Sequence, residues 1–491
     1  STTPRNDLSA ALASLDIATA DRPLPDEVLC HIFHFLDAAW LGASSLVCIR
    51  WNKIAWGRLR HLEFDRKDLV TDSILGRLST TCPELTVLKI SRCLGVRDNC
   101  ARALLGMRHL KILHVNYCDW ITDVFLEDLK AHKTLTELSL VAACRITLAH
   151  PLLSPQLKHL NLTACRSLDK MALTHIWNLP QLVCLDLSDS ASTLGFGEGI
   201  FALTNPPALS ELSLRRTGIN DEILQAIGEI TTLKRLDLSQ NAEITAVGVA
   251  YLTTLVALQS LDLTSCSAIS DAALVSLGSF PQLQHLSLIF TGIVKDGLDA
   301  LVPLPTIRSL KSTRGIASMT LLSGLSRSPQ LTLLSLSDCT FDPLDVHLLG
   351  NLVSLHHLDL STALGIGDGV FDHLARLTHL QSLNLSCICT ITPAGLSKLR
   401  DLPRLSTLIL DWCLQVDDTV GISLAGFPTL TSLSLRSCKA LTDQALPDLL
   451  KLPKLEMLDL TYCVGINSRR ELSRGTPKIT SRSPHPLLVQ S

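Results

Sequence analysis

Sixteen cysteines are the side chains of this 491-residue sequence best suited to chemistry, because thiolates bind zinc, form disulfides and attack electrophiles. Eight of them occupy one position of a repeat: Cys93, Cys118, Cys165, Cys266, Cys339, Cys413, Cys438 and Cys463. No paired Cys-x-x-Cys and no nearby His completes a four-ligand set, so neither zinc nor structural disulfides are predicted. We expect these thiols to point inward at a turn and to satisfy backbone groups, in a reducing compartment. Asn241 takes the same position in its repeat, where an amide would do the same.

Other reactive patterns are incomplete. Gly195-x-Gly197-x-Gly199 lacks the Lys-Ser/Thr of a phosphate-binding loop and is better explained as an inserted loop. Four histidines fall on outward strand positions several repeats apart: His114, His159, His285 and His357. No nucleophile can be paired with a base. We therefore predict a protein that is not an enzyme and that holds no cofactor and no metal.

Repeated leucines must position these side chains. The frame Leu-x-x-Leu-x-Leu recurs sixteen times between Leu85 and Leu460, nearly always 24 or 25 residues apart. With the first leucine as offset 0, offsets 3 and 5 are apolar and alternate with outward offsets 2, 4 and 6, which predicts a short strand with one buried face. The copies begin at Leu85, Leu110, Leu135, Leu157, Leu182, Leu209, Leu233, Leu258, Leu283, Ile307, Leu331, Leu355, Leu380, Leu405, Leu430 and Leu455. A repeat of this period predicts a solenoid.

A second pattern follows each strand, as in Ile121-Thr122-Asp123 and Leu441-Thr442-Asp443. Such Thr and Asp side chains accept hydrogen bonds from a first helical turn, so each copy is predicted to begin a helix there, and many of these helices should end at a proline. The predicted fold class is α/β. A horseshoe of about sixteen to seventeen repeats over residues 61–466 would carry parallel strands on its concave face and helices on its convex face.

The segment from Leu24 to about Leu59 does not follow the repeat. Pro25 suits a first helical position. Five apolar side chains at helical spacing form a stripe that is too wide for so small a unit to bury alone: Val28, Leu29, Ile32, Phe33 and Leu36. We therefore expect part of this stripe to contact a partner. The alternative is a simple cap on the end of the solenoid.

Two resemblances follow from these patterns. The frame L-x-x-L-x-L-x-x-C followed by I-T-D-x-x-L resembles the cysteine-containing class of leucine-rich repeats, and residues 23–60 resemble an F-box, from the L-P-x-E opening to the V-C-x-x-W element. The second resemblance implies a three-helix F-box that docks onto the Skp adaptor of a cullin-based ubiquitin ligase. It implies adaptor-facing or supporting roles for Leu24, Pro25, Val28, Leu29, Ile32, Phe33, Leu36 and Trp51.

Candidate target-binding residues lie on the outward strand positions and at offset 7. Aromatic and Arg side chains dominate interface hot spots, so four patches rich in them are the candidates. They are Arg92 with Tyr117; Arg215 and Arg216 with Arg235; Phe290 with Arg314; and Asp411, Trp412, Arg436 and Tyr462. The alternative is that these side chains pack along the strands and pair with the acids Asp186, Asp237, Asp262, Asp359 and Asp459.

Composition limits the other partners. A formal charge of -3 does not favour nucleic acid, and no apolar run is long enough to span a membrane. The first twenty-three residues show neither a secretory signal nor a typical transit peptide, so we expect a cytoplasmic protein, with the nucleus as the second location. Residues 1–22 and the basic tail 467–491 are predicted to be disordered.

An F-box followed by leucine-rich repeats is the order of the F-box/leucine-rich-repeat substrate receptors. The resemblance implies a non-catalytic subunit that binds a Skp-family adaptor, and through it a cullin, while the concave face holds an unidentified target protein near the ubiquitin-conjugating enzyme. Two alternatives remain: an assembly scaffold with an F-box-like cap and no ubiquitin transfer, or a pathogen effector that borrows a host ligase.

Overall fold

The computed structural model describes residues 56–57, 59–65, 70–169, 171–190, 209–293, 296–302, 304, 306–466 and 478–480. The eight residues predicted to face the adaptor lie outside them: Leu24, Pro25, Val28, Leu29, Ile32, Phe33, Leu36 and Trp51. The chain divides into two compact units. The first comprises Ser1–Leu168 and Leu179–Gln181, and the second comprises Asp169–Asn178 and Leu182–Ser491.

The first unit stacks five parallel strands, β1 (His61–Asp65), β2 (Val87–Ser91), β3 (Ile112–Asn116), β4 (Glu137–Ser139) and β5 (His159–Asn161). Equal repeat length places the same offset of neighbouring copies side by side, so Leu88 lies opposite Leu113, and Leu138 opposite Leu160. The earliest strand, β1, belongs to a weak copy that precedes Leu85 and pairs with β2 in the same register. The helices of the first unit are α1 (Asp72–Thr81), α2 (Cys100–Leu104) and α3 (Asp123–Leu129).

The copy that begins at Leu135 is shorter than its neighbours and forms no helix between Ile146 and Leu157. Pro151 has no N–H to donate and its ring disfavours a helical conformation at His150, so a helix cannot continue here. The prediction that every copy forms a helix is therefore wrong for this copy.

The second unit repeats the arrangement over more copies. Its parallel strands are β6 (Cys184–Asp186), β7 (Glu211–Ser213), β8 (Arg235–Asp237), β9 (Ser260–Asp262), β10 (His285–Leu288), β11 (Ser309–Thr313), β13 (Leu333–Ser337), β15 (His357–Asp359), β16 (Ser382–Asn384), β17 (Thr407–Ile409), β18 (Ser432–Ser434), β19 (Met457–Asp459) and β20 (Lys478–Thr480). Two short strands, β12 (Ile316–Ala317) and β14 (Thr340–Phe341), pair separately. The parallel sheet that was predicted from the leucine frame is confirmed.

Helical segments of the second unit follow the strands. The α-helices are α4 (Ala172–Trp177), α5 (Asp221–Gly228), α6 (Ala246–Tyr251), α7 (Leu274–Gly278), α8 (Met319–Leu325), α9 (Phe371–Leu374), α10 (Pro393–Leu396), α11 (Val420–Leu424) and α12 (Leu446–Leu449). Tighter 3-10 turns span Leu252–Thr254, Asp271–Ala273, Asp296–Leu301, Val346–Asn351, Asp368–Val370, Ser397–Leu399 and Asp443–Ala445. No helix among the described residues is long and apolar enough to cross a membrane.

The core lies between the strands and the helices. Leucines at offsets 0, 3 and 5 are buried, as at Leu258, Leu261 and Leu263. The tail that was predicted to be disordered contributes strand β20, which pairs in parallel with β19. The prediction of disorder is therefore wrong for these three residues, because the open edge of the last full copy offers unpaired backbone groups to the chain that follows it.

Candidate functional site

The turn that ends each strand has an unusual backbone conformation. At offset 7 of all sixteen copies a residue other than glycine lies in the left-handed region, with φ between 50° and 65°. This conformation costs an L-residue about 1–2 kcal/mol, so the surroundings must stabilise it. The N–H group at offset 7 supplies part of that stabilisation, since it donates to the carbonyl at offset 6 of the next copy, as from Trp412 to Arg436 at 2.8 Å. One side chain per copy is thus held in a fixed position at the ends of the strands.

Buried thiols fasten the same turn from inside. Five of them donate to the offset-5 carbonyl of the preceding copy: Cys165 to Leu140 at 3.1 Å, Cys266 to Leu238 at 3.2 Å, Cys413 to Leu385 at 3.3 Å, Cys438 to Leu410 at 3.2 Å and Cys463 to Leu435 at 2.9 Å. Burial raises the pKa of Cys266 and of Cys413 to about 12, so both remain protonated donors at neutral pH. The prediction that these thiols point inward and satisfy backbone groups is confirmed.

Asn241 replaces the thiol with a denser set of bonds. Its Oδ1 accepts from the N–H groups of Thr217 at 3.0 Å, Gly218 at 2.8 Å and Ile219 at 3.3 Å. Its Nδ2 donates to the carbonyls of Leu214 and Leu238, each at 2.8 Å. The prediction that an amide at this position also satisfies the loop backbone is confirmed, and the amide supplies the acceptor that a thiol lacks.

In five of the described copies a Thr at the turn after the strand is bonded to an Asp of the preceding copy. Thr122 donates from both its N–H and its hydroxyl to Asp98, each at 2.7 Å, and Thr442 does the same to Asp418, each at 2.6 Å. The hydroxyl of Thr122 also accepts from Val124 N–H at 3.3 Å, as predicted for a helix cap. The role of the aspartates in anchoring the following copy was not predicted, although their spacing of 24 residues from the next threonine was visible.

The aspartates at offset 4 bond mainly to their own turns. One carboxylate oxygen of each accepts from an N–H two residues later, at 2.8–2.9 Å: Asp186 from Ser188, Asp237 from Ser239, Asp262 from Thr264, Asp359 from Ser361 and Asp459 from Thr461. Asp237 and Asp262 lie opposite one another on adjacent strands. Within the second unit, they line a depression of about 360 Å³ together with Asp186, Glu211 and Arg235. Structural hydrogen bonds therefore account for this acidic row.

The predicted patch of three arginines is partly neutralised by carboxylates. Arg216 Nε lies 2.5 Å from Asp189 Oδ1, Arg235 Nη1 lies 2.8 Å from Glu211 Oε1, and Arg215 is exposed. These arginines are on outward positions of the second unit, as predicted. Their carboxylates, however, are not the offset-4 aspartates that were the alternative partners in the sequence.

The aromatic patches are exposed at offset 7. In the first unit, Arg92 stacks on Tyr117 with its guanidinium carbon 5.4 Å from the ring centre, and Arg92 Nη1 lies 3.8 Å from Asp65. In the second, Phe290 is 58% exposed, and the Arg314 next in the row lies 3.2 Å from Asp338. These four predicted residues are therefore accessible, and target binding by them stays a prediction.

The last predicted patch combines two exposed rings with a bonded Asp–Arg pair. Trp412 is 52% exposed and Tyr462 is 45% exposed. Asp411 accepts from the Ser434 hydroxyl at 2.6 Å and from Arg436 N–H at 3.0 Å, while Arg436 Nε lies 3.9 Å from Asp459. Asp411 thus supports the turn, and the two rings offer apolar surface to a partner.

No group of three or more His, Cys, Asp or Glu side chains in the described part of the chain is arranged to hold a metal ion. The arrangement presents rigid rows of side chains instead. Such rows suit binding to another protein.

Two family models match parts of this chain. The family model for an F-box-like domain matches residues 23–61, and the model for a leucine rich repeat matches residues 106–124, 229–252 and 376–399. Among solved structures, the Rad7 and Elc1 complex in yeast is 18% identical with a TM-score of 0.42, and the match covers 95% of this chain and 98% of that chain. The TLR13–ssRNA13 complex is 17% identical with a TM-score of 0.42, and the match covers 84% and 55%. The chain carries an F-box-like domain followed by leucine-rich repeats, which is the composition of an F-box/leucine-rich-repeat protein.

Proposed function

We propose that this protein is the substrate-recognition subunit of an SCF-type ubiquitin ligase. The observation that carries the proposal is the presence, in one chain, of an F-box-like domain and a leucine-rich-repeat solenoid, a combination that suggests an adaptor or substrate-recognition role. The F-box binds a Skp-family adaptor and, through it, a cullin. The strand-bearing side of the repeats holds the target, in the cytoplasm or the nucleus.

The proposed mechanism requires no catalytic side chain in this chain. A bound target is held close to a charged ubiquitin-conjugating enzyme, so the rate of transfer to its lysines rises through effective concentration. The offset-7 row supports this role, because its side chains stand on a backbone that hydrogen bonds already fix. A fixed anchor loses little conformational entropy when a partner binds.

The F-box half of the proposal is tested by adaptor capture. Leu24→Ala, Pro25→Ala and Ile32→Ala, combined in one variant, should abolish co-purification of the Skp-family adaptor. Leu344→Ala is the matched control, because this leucine is 80% exposed and lies in the repeats. Partners bound to the repeats should accumulate in cells that carry the F-box variant.

The opposite result identifies a scaffold. A wild-type chain that never captures the adaptor, yet co-purifies in fixed stoichiometry with one large assembly, contradicts the ligase proposal. Unchanged partner abundance in cells that carry the F-box variant also contradicts the ligase proposal. A receptor that cannot bind its ligase should leave its target undegraded, so the target should accumulate.

The target half is tested on the two exposed rings. Trp412→Ala and Tyr462→Ala should each weaken capture of the target by about tenfold or more, as expected for aromatic anchors. Val275→Ala is the control, since this side chain is 74% exposed but lies on helix α7. Target capture by both ring variants at the wild-type level would remove this patch from the binding surface.

A further inference from the structure

One cluster in the first unit was not singled out by its sequence. Trp120 is 39% exposed on the loop that follows strand β3. The guanidinium carbon of Arg97, from the preceding copy, lies 5.0 Å from its ring centre, and that of Arg145, from the following copy, lies 4.4 Å away. Two cations from different copies therefore share one indole.

Three of the described carboxylates near this cluster are engaged elsewhere. Asp98 is bonded to both donors of Thr122, and Asp123 bonds Thr147 in the same way. Asp72 accepts from the backbone N–H of Arg97 rather than from its guanidinium. Asp119 is exposed beside Trp120 and carries the opposite charge. No described carboxylate pairs with either stacked guanidinium, so both retain hydrogen-bond donors for a ligand.

Apolar and aromatic surface continues from the cluster along the same loops. Leu94 is exposed two residues after Arg92, and Arg92 stacks on Tyr117, three residues before Trp120. A ligand for this surface must therefore combine negative charge with apolar side chains. Stacked guanidiniums are well suited to such a ligand, because they are weakly hydrated and pre-organised.

We propose that the Arg97–Trp120–Arg145 cluster is a docking surface for an acidic segment of a partner protein, with carboxylates at separate positions around an apolar residue. Charge complementarity identifies this occupant. A single phosphate is best held by guanidiniums that converge on it, whereas each of these two stacks on the indole from a different copy and can take one carboxylate. In an extended segment, alternate side chains lie about 7 Å apart on one face, so one segment can present two carboxylates to this surface.

Nucleic acid fits the surface less well. A backbone of regularly spaced phosphates needs a broad basic footprint, and Asp65 and Asp119 interrupt this one. The chain as a whole carries a formal charge of -3. The docking surface goes beyond the proposed ligase role, and it does not depend on the adaptor.

The test uses the full chain and four dye-labelled probes of equal length, read by fluorescence anisotropy. The first is a peptide of about 12 residues with Glu at alternate positions around one Leu. The second has Gln for Glu, the third has phosphoserine for Glu, and the fourth is a single-stranded oligouridine. The Glu peptide should bind, the Gln peptide should not, and added salt should weaken binding.

The variants locate binding at the cluster. Arg97→Ala with Arg145→Ala should weaken Glu-peptide binding by about tenfold or more, and so should Trp120→Leu. Replacing both arginines with Lys should recover only part of the affinity, because Lys keeps the charge without the planar stack. Arg102→Ala is the control, since Arg102 is in the same unit and already paired with Asp128 at 3.0 Å.

Three outcomes overturn the proposal. Equal binding by the wild type and the Arg97/Arg145 double variant excludes the cluster, and full recovery by Lys excludes the stack. A phosphoserine peptide or oligouridine that binds more than about tenfold tighter than the Glu peptide assigns the surface to phosphate chemistry. Adaptor capture is unaffected in every case, so failure of the docking surface is distinguishable from failure of the ligase proposal.

Discussion

Replacing Asn241 by Ala should destabilise the second unit more than removing any one of the buried thiols. The amide contacts six backbone groups from two copies, at 2.8–3.4 Å. Ala supplies neither the acceptor for the N–H groups of Thr217, Gly218 and Ile219 nor the donors for three carbonyls. The site is fully buried, so these groups lose their partners away from bulk water.

The magnitude follows from the number of groups left unpaired. A buried group without a partner costs about 1–3 kcal/mol, but the three N–H groups share one oxygen and a water can enter the vacated space. We expect a loss of about 3–5 kcal/mol in the free energy of unfolding. Asn241→Cys should cost about half as much, because a thiol restores one donor but no comparable acceptor. Cys266→Ala should cost about 1–2 kcal/mol, because it loses a single S–H donor and little volume.

The assay is urea denaturation combined with hydrogen exchange read by mass spectrometry. Copies in a solenoid contact mainly their neighbours, so exchange should accelerate over residues 214–219 and 238–241 and should not change over residues 405–435. Asn178→Ala is the control, since this asparagine is exposed and should matter by less than about 0.5 kcal/mol. A loss below about 1 kcal/mol for Asn241→Ala would refute the idea that this amide holds the turn through its six backbone bonds.

Three further predictions concern other copies and other positions of the repeat. Ala142→Gly should leave stability unchanged or raise it by up to about 1 kcal/mol, because φ at Ala142 is 57°, a conformation that glycine adopts without strain. Ala103→Gly inside helix α2 should instead lower stability by about 1 kcal/mol. Thermal unfolding of the two variants measures both effects. Burial raises the Cys266 pKa from 9.0 to about 12, so the contribution of this thiol to stability is fully present below pH 9 and is lost as the pH rises above it. The free energy of unfolding should fall by about 1.4 kcal/mol between pH 8 and pH 10 because of this thiol. Urea titrations at the two pH values should show a correspondingly smaller fall for Cys266→Ala. Asp418→Ala should cost about 1–2 kcal/mol and expose Thr442 N–H to exchange, and an unchanged exchange rate would contradict the proposed anchor.

The leucine frame by itself determined the fold of the repeats. Apolar residues at offsets 0, 3 and 5 can be buried together only on a strand followed by a turn, and a constant period places Leu261 beside Leu286 without further information. The inward position of the thiols was predictable for the same reason, because a small, weakly polar residue recurs where the strand ends. The adaptor-facing residues from Leu24 to Trp51 rest on the sequence alone and stay a prediction.

Tertiary structure decided everything that depends on contacts between copies. The sequence of one copy does not show that its Asp98 bonds to Thr122 of the next copy. Nor does it show that offset 7 adopts a left-handed conformation in which its N–H donates to the next copy. The Trp120 cluster likewise joins side chains of three successive copies: Trp120 and Arg145 share one offset, whereas Arg97 stands two positions further along its own copy. Sequence periodicity fixes which residues are buried, because burial is a property of each copy. Side-chain pairing on the exposed edge is set only when neighbouring loops are brought side by side, since that edge carries no repeated apolar constraint.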